Sequence, residues 1–275
     1  MGHAARLSAV PVVPKPAASV VLLRPGVSTP FEVYLIRRAR AMRFLGGYYA
    51  FPGGKVDPAD QRMVSLARTR GLTPEAARAR LGDPADPVPA LAYWVTAVRE
   101  LFEETGLLLA VDADGRAADV GAAEAARRLE TTRQALVRGE RSFAAILAEA
   151  GWLADLAPLA YLAHFVTPPS NAIRFSARFF LCLLAPAQTP RLILEEASDG
   201  FWAAPSLVYA RFHAGEWPMA EPAEYTMRYL AQFESCDAVM AHHADGRPRF
   251  HGIIDRLDAA RQYRFDWHAV APTGG

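Results

Sequence analysis

The run AVRELFEETGL, residues 97–107, limits the possible folds more than any other stretch of the chain. Wound as a helix at about 100° per residue, it gathers Glu100, Glu103 and Glu104 into one arc with Arg99 beside Glu103, and turns Val98, Leu101 and Phe102 the other way. Gly106 stands where a left-handed residue would close the helix. Like charges three and four residues apart cost an isolated helix about 0.2–0.5 kcal/mol per pair. The rest of the chain must therefore supply an apolar bed for one face and a reason for the other. Two reasons are open: a solvated surface, or hard oxygen ligands on a rigid element, the kind of set a divalent cation shares with phosphate.

The surrounding pattern is that of an α/β chain. Residues 18–24 (ASVVLLR) and 31–37 (FEVYLIR) read as an antiparallel strand pair, and a short strand at 48–51 runs into Pro52-Gly53-Gly54. Residues 58–90 look like a surface excursion without a sustained apolar face; within it a helix is expected from 73 to 81, Pro74 in its first position. The glutamate helix starts near Ala92. Two Ala- and Arg-rich helices are expected at 122–138 and 142–156, with their arginines solvated. Strands follow at 161–166, 173–184 and 192–194, with another near Trp202, then helices at 205–214 and 222–233. The tail suggests a hairpin around Asp245-Gly246 and a short helix at 255–260. The expected organisation is a loose leader at 1–17, one domain at 18–235 with an insertion at about 61–91 and added helices at about 120–157, and an extension at 236–275 packed on it.

Composition removes several function classes. The 30 basic and 29 acidic residues leave a formal charge of +1, so no global field favours nucleic acid or an anionic membrane. Prolines 11, 14 and 16 interrupt the leader before a signal-type run develops, and the most apolar run elsewhere, 179–185, falls far short of the ~20 residues a spanning helix needs. Cys182 and Cys236 sit among apolar neighbours and read as reduced core thiols, which fits a cytoplasmic location.

Taken together, Phe51-Pro52-Gly53-Gly54 and Arg99-Glu100-Leu101-Phe102-Glu103-Glu104-Thr105-Gly106-Leu107 resemble the two halves of the Nudix box, G-x5-E-x7-R-E-U-x-E-E-x-G-U, with U a bulky aliphatic residue. The second half matches fully. Gly54 aligns with the opening glycine, Asp60 stands in place of the first glutamate, and 45 positions separate Gly54 from Arg99 where the unbroken box has 14. Such a split resembles the coenzyme A diphosphatase branch of the Nudix hydrolases, as do HFVTP at 164–168 and RFSARFF at 174–180. Before the box, Leu35, Arg43, Gly47 and residues 51–54 agree with a pattern of coenzyme A-acting members, while Ile36 and Ala39 depart from it.

The resemblance implies a mixed sheet sandwiched between helices, and Mg²⁺- or Mn²⁺-dependent cleavage of the diphosphate of coenzyme A or acyl-coenzyme A to a phosphopantetheine and 3′,5′-ADP. It makes Glu100 and Glu104 the principal metal ligands, and Glu103 a third ligand or the base that takes the water proton. Arg99 would hold the cluster by reaching Glu103 or Asp60. Gly53 and Gly54 would let backbone approach metal and phosphate, and Arg43 would meet substrate. Glu195, Glu196 and Asp199 are later acidic candidates for the base. Arg174 and Arg178, alternating on one strand, touch phosphate or form a polar outer face. His164, His213 and His251 stand isolated, and the adjacent His242 and His243 cannot face one ion from a strand; all five read as structural or surface residues. Other substrates remain open, namely NADH, ADP-ribose and nucleotide sugars, as do a non-catalytic nucleotide-binding regulator and a homodimeric state.

Overall fold

The computed structural model describes residues 12–42, 45–118, 123–185, 188–192, 197–257 and 262–265. Strand β1 (Lys15–Pro25) is apolar on both faces: Val20 and Leu22 enter one buried cluster, Val21 and Leu23 another. Such a strand belongs inside a sheet. β2 (Phe31–Arg38) pairs with it antiparallel in the register Leu23↔Val33, as expected. Two short strands follow, β3 (Tyr49–Ala50) on β2 and β4 (Gly53–Lys55) on β1.

The excursion departs from expectation. It forms α1 (Met63–Leu66) and β5 (Thr69–Arg70), which the sequence reading lacks, and then α2 (Pro74–Leu81). Thr73 caps α2 by accepting from the Ala76 N–H, and Gly82 closes it at φ 65°. Leu72, Ala77 and Leu81 are buried in the cluster that also holds the glutamate helix. The excursion is thus part of the core's cover through these three residues, while Met63 and Val64 stay exposed.

Helix α3 (Ala90–Thr105) carries the glutamates and ends at Gly106, φ 70°. From Leu91 to Thr105 every residue is buried except Glu100, Glu103 and Glu104. A helix apolar nearly all round must be enclosed, and α3 lies between β1 and β4 on one side and other helices on the other. After β6 (Ala110–Val111) come α4 (Ala123–Val137), α5 (Phe143–Ala150) and β7 (Leu153–Asp155). The expected helix to residue 156 is cut short by Gly151, φ 70°, and β7 joins β5 and β6 in a small separate sheet. Arg133 of α4, expected in solvent, is only 3 % exposed.

β8 (Leu159–Val166) and β9 (Phe175–Leu183) pair antiparallel, and β9 lies parallel to β1 from Lys15↔Phe175 to Leu23↔Leu183. β10 (Ala197–Ala203) pairs with β2. Helices α6 (Pro205–His213), α7 (Glu221–Leu230) and α8 (Cys236–His242) cover the second apolar face. β11 (Phe250–Leu257) then adds parallel to β8 and turns back into β12 (Gln262–Phe265). The large sheet runs β10-β2-β1-β9-β8-β11-β12, with α3–α5 on one face and α6–α8 on the other.

The tail differs locally from expectation. Asp245-Gly246 lies in the turn that leaves α8, not in a hairpin, and residues 255–257 are strand; 258–260, like 193–194 of the strand expected at 192–194, lie outside the described residues. Cys182 and Cys236 are buried and free. Among the described residues no helix is long and apolar enough to cross a membrane.

Candidate active site

The two halves of the motif meet on one edge of α3. β4 pairs with β1 as Ser19↔Gly53 and Ala18↔Gly54, which brings the glycines beneath the C-terminal turns of the helix. There the Gly53 N–H donates to Glu104 Oε2 at 2.7 Å. A β-carbon on Gly54 would stand 2.4 Å from Glu100 Oε1, so the missing side chain is the cradle in which that carboxylate rests.

Arg99, 8 % exposed, ties the halves together. Its Nε and Nη2 donate to Asp60, its Nη2 also to the Lys55 carbonyl at 3.0 Å, and its Nη1 to Glu103 Oε1 at 3.1 Å; Nη1 lies 2.9 Å from Glu100 Oε1. The sequence left Glu103 or Asp60 as its partner, and it reaches both. Asp60 is 2 % exposed and also accepts from Thr96 Oγ1 at 2.8 Å. The shorter Asp suffices because the turn at 57–60, closed by the Asp57 N–H on Asp60 Oδ2, tucks it under the helix. Burial opposes the charge on Arg99, but Glu100, Asp60 and Glu103 outweigh it and hold the guanidinium above its ordinary range. Glu100 is pushed up to about 7 by burial, against the pull of Arg99 and with the repulsion of Glu103.

Three carboxylates on one rigid edge, over a glycine pair without β-carbons, form a hard-oxygen donor set suited to a divalent cation. As the side chains stand, no group of three acidic, histidine or cysteine residues among the described residues could hold a metal ion: Glu100 and Glu103 are turned onto Arg99, and Glu104 onto the Gly53 N–H. Of the later acids, Asp199 lies exposed on β10, opposite Arg37 of β2. Glu195, Glu196 and Arg43 lie outside the described residues.

A second buried network has no signature in the sequence. Arg178 is 1 % exposed; it pairs with Asp86 at 2.7 Å, stacks over the Tyr93 ring at 4.6 Å and donates to His164 Nε2 at 2.5 Å and Ser176 Oγ at 2.7 Å. Tyr93 donates to the same Asp86 oxygen. His164 Nδ1 in turn lies 3.2 Å from His251 Nδ1. Cross-strand register puts Gly54, Ala18, Arg178, His164 and His251 in one row across the sheet. Arg178 is therefore no polar outer face, and His164 and His251 are not isolated. Arg174, 8 % exposed, is spent on the carbonyls of Thr167 and Val12. Arg133 likewise reaches inward, to the Glu103 carbonyl at 3.0 Å. Nothing in its Ala- and Arg-rich helix distinguished it from its solvated neighbours.

The family model described as NUDT19 Nudix domain matches residues 7–230. The chain belongs to this Nudix hydrolase family. A human protein named acyl-coenzyme A diphosphatase NUDT19 is 29 % identical over 259 residues, covering 80 % of this chain and 69 % of that protein. The Gallus gallus protein of the same name is 26 % identical over 263 residues, with 80 % and 68 % covered. The crystal structure of a Nudix hydrolase from Alicyclobacillus acidocaldarius superposes with a TM-score of 0.70 at 33 % identity, covering 83 % of this chain and 96 % of that one. Nudix hydrolases act on nucleoside diphosphate derivatives and generally use divalent metals.

Proposed function

We propose that the chain hydrolyses the diphosphate of coenzyme A or an acyl-coenzyme A, with Mg²⁺ or Mn²⁺, to a phosphopantetheine and 3′,5′-ADP. The observation that carries this reading is Arg99, which closes a motif split by a long excursion into one site. The names of the vertebrate relatives supply the substrate class. A bound divalent ion would neutralise the diphosphate and acidify a water. Glu100 and Glu104 would hold it; Glu103 completes the ligand set or takes the proton from water. Arg99 and Asp60 fix the positions of Glu100 and Glu103, and Gly53 and Gly54 admit the phosphates. Retention of all three glutamates speaks against a regulator that only binds.

Coenzyme A differs from NADH and ADP-ribose by its 3′-phosphate, a group that suits a guanidinium, here Arg43. The test is hydrolysis with Mg²⁺ of coenzyme A, acyl-coenzyme A, dephospho-coenzyme A, NADH, ADP-ribose and nucleotide sugars. Coenzyme A and its thioesters are expected to have the highest kcat/KM. Arg43→Ala is expected to raise KM for coenzyme A by roughly tenfold or more, as a lost charge-assisted hydrogen bond would, and to leave dephospho-coenzyme A unaffected. Preference for NADH or ADP-ribose would overturn the substrate assignment.

A further inference from the structure

Beyond the carboxylate set, one polar group beside it has no assigned task. Tyr34 is 4 % exposed, its ring buried on the α3 face of β2 and 5.3 Å from the Trp202 ring. Its hydroxyl lies along the sheet toward Gly200 of β10, where a β-carbon would stand 2.1 Å from the phenol oxygen and 3.1 Å from Leu192. The Arg191 N–H next to Leu192 donates to the Thr105 carbonyl, the residue after Glu104. The phenol thus sits where the end of α3, the segment at 188–192 and β10 converge. The same end of β2 carries β3, paired as Ile36↔Ala50, from which the chain runs directly into Gly53. Among the described residues, none hydrogen-bonds the Tyr34 hydroxyl.

Burial, then the negative fields of Asp199 and Glu104, push the phenol up to about 12, so its proton stays on and the group is a donor at neutral pH. Both carboxylates are therefore neighbours in the electrostatic sense. A donor held by a packed ring near the end of α3, with no β-carbon at Gly200 to displace its oxygen, is suited to an oxygen acceptor that arrives with the substrate.

We propose that the Tyr34 hydroxyl donates a hydrogen bond to a non-bridging oxygen of the substrate diphosphate, and that Gly200 is the residue that leaves room for it. This rests on the diphosphatase reading given above. The contact is to the group common to all candidate substrates, which separates it from Arg43.

Tyr34→Phe keeps the ring and removes only the hydroxyl. It is expected to lower kcat/KM for coenzyme A and dephospho-coenzyme A by the same factor, roughly tenfold or more, with Tm unchanged. Gly200→Ala, by pushing the phenol aside, is expected to give a similar loss in a protein that still melts cooperatively. Wild-type kcat/KM in Tyr34→Phe would overturn the inference, and so would a loss confined to one of the two substrates. If the wild-type chain hydrolysed no diphosphate in the panel, the functional reading would fail instead, so the two failures are told apart.

Discussion

A methyl group added to Gly53 would meet something quite different from one added to its neighbour Gly54. At Gly53, with φ 155°, it would run into the backbone of β1, 2.4 Å from the Ala18 carbonyl oxygen and 2.6 Å from Ser19 Cα. At Gly54 it would meet only the far end of Glu100, which can swing away. Gly53→Ala is therefore expected to unfold at clearly lower urea concentration, since a strand cannot move aside. Gly54→Ala is expected to keep its Tm but lose tenfold or more in kcat, about 1.4 kcal/mol in the barrier, because Glu100 leaves its cradle. Equal stability losses would show that the cradle is only packing. The glutamates separate in the same way. Glu104→Gln is expected to lower kcat by roughly 10²–10³-fold. In Glu103→Gln, loss of kcat with Mn²⁺ affinity retained in a binding titration identifies a base, whereas loss of both identifies a ligand.

Among the elements, the excursion between the motif's halves is fastened to the sheet by Asp86 on Arg178, an ion pair with side-chain exposures of 10 % and 1 %. Removing one partner leaves a buried charge without compensation, a loss of about 3–5 kcal/mol. Asp86→Ala is expected to show that order of destabilisation in urea unfolding, and replacing 63–87 by a flexible linker to fail for the same reason. A stable, active linker variant would show that the excursion is only a cover. This fastening was illegible in the sequence, because Asp86 and Arg178 lie 92 residues apart and no local pattern links them. The gathering of the candidate site's residues was legible, since Arg99, Glu100, Glu103 and Glu104 have their spacing dictated by one helix, while the turn that brings Asp60 to Arg99 shows only in the structure. Helix and strand types were read correctly where the period ran long, as in α3, β1 and β9. They failed in the tail, where β11 owes its strand state to β8 and not to its own alternation.

For the molecule as a whole, acid is the expected weakness. Burial and Arg178 bring His164 down to about 2, and burial brings His243 down to about 4, both from 6.5. Below pH 6.5 the unfolded chain takes up protons that these folded histidines refuse, so stability is intact above that pH and falls as pH drops toward 4. Urea unfolding between pH 7.5 and 4.5 is expected to show this decline, and His243→Gln to make it shallower; an unchanged slope would remove His243 from the account. The parallel pairing of β9 with β1 has a consequence in time. Lys15 finds its partner Phe175 more than half the chain away, and such distant pairing is slow to form. On a ribosome, β1, Gly54 and α3 would emerge long before the strand that secures the far edge of β1. The carboxylate set would then be held in place only once that strand has docked, so a nascent chain would gain its chemistry late, in a single step.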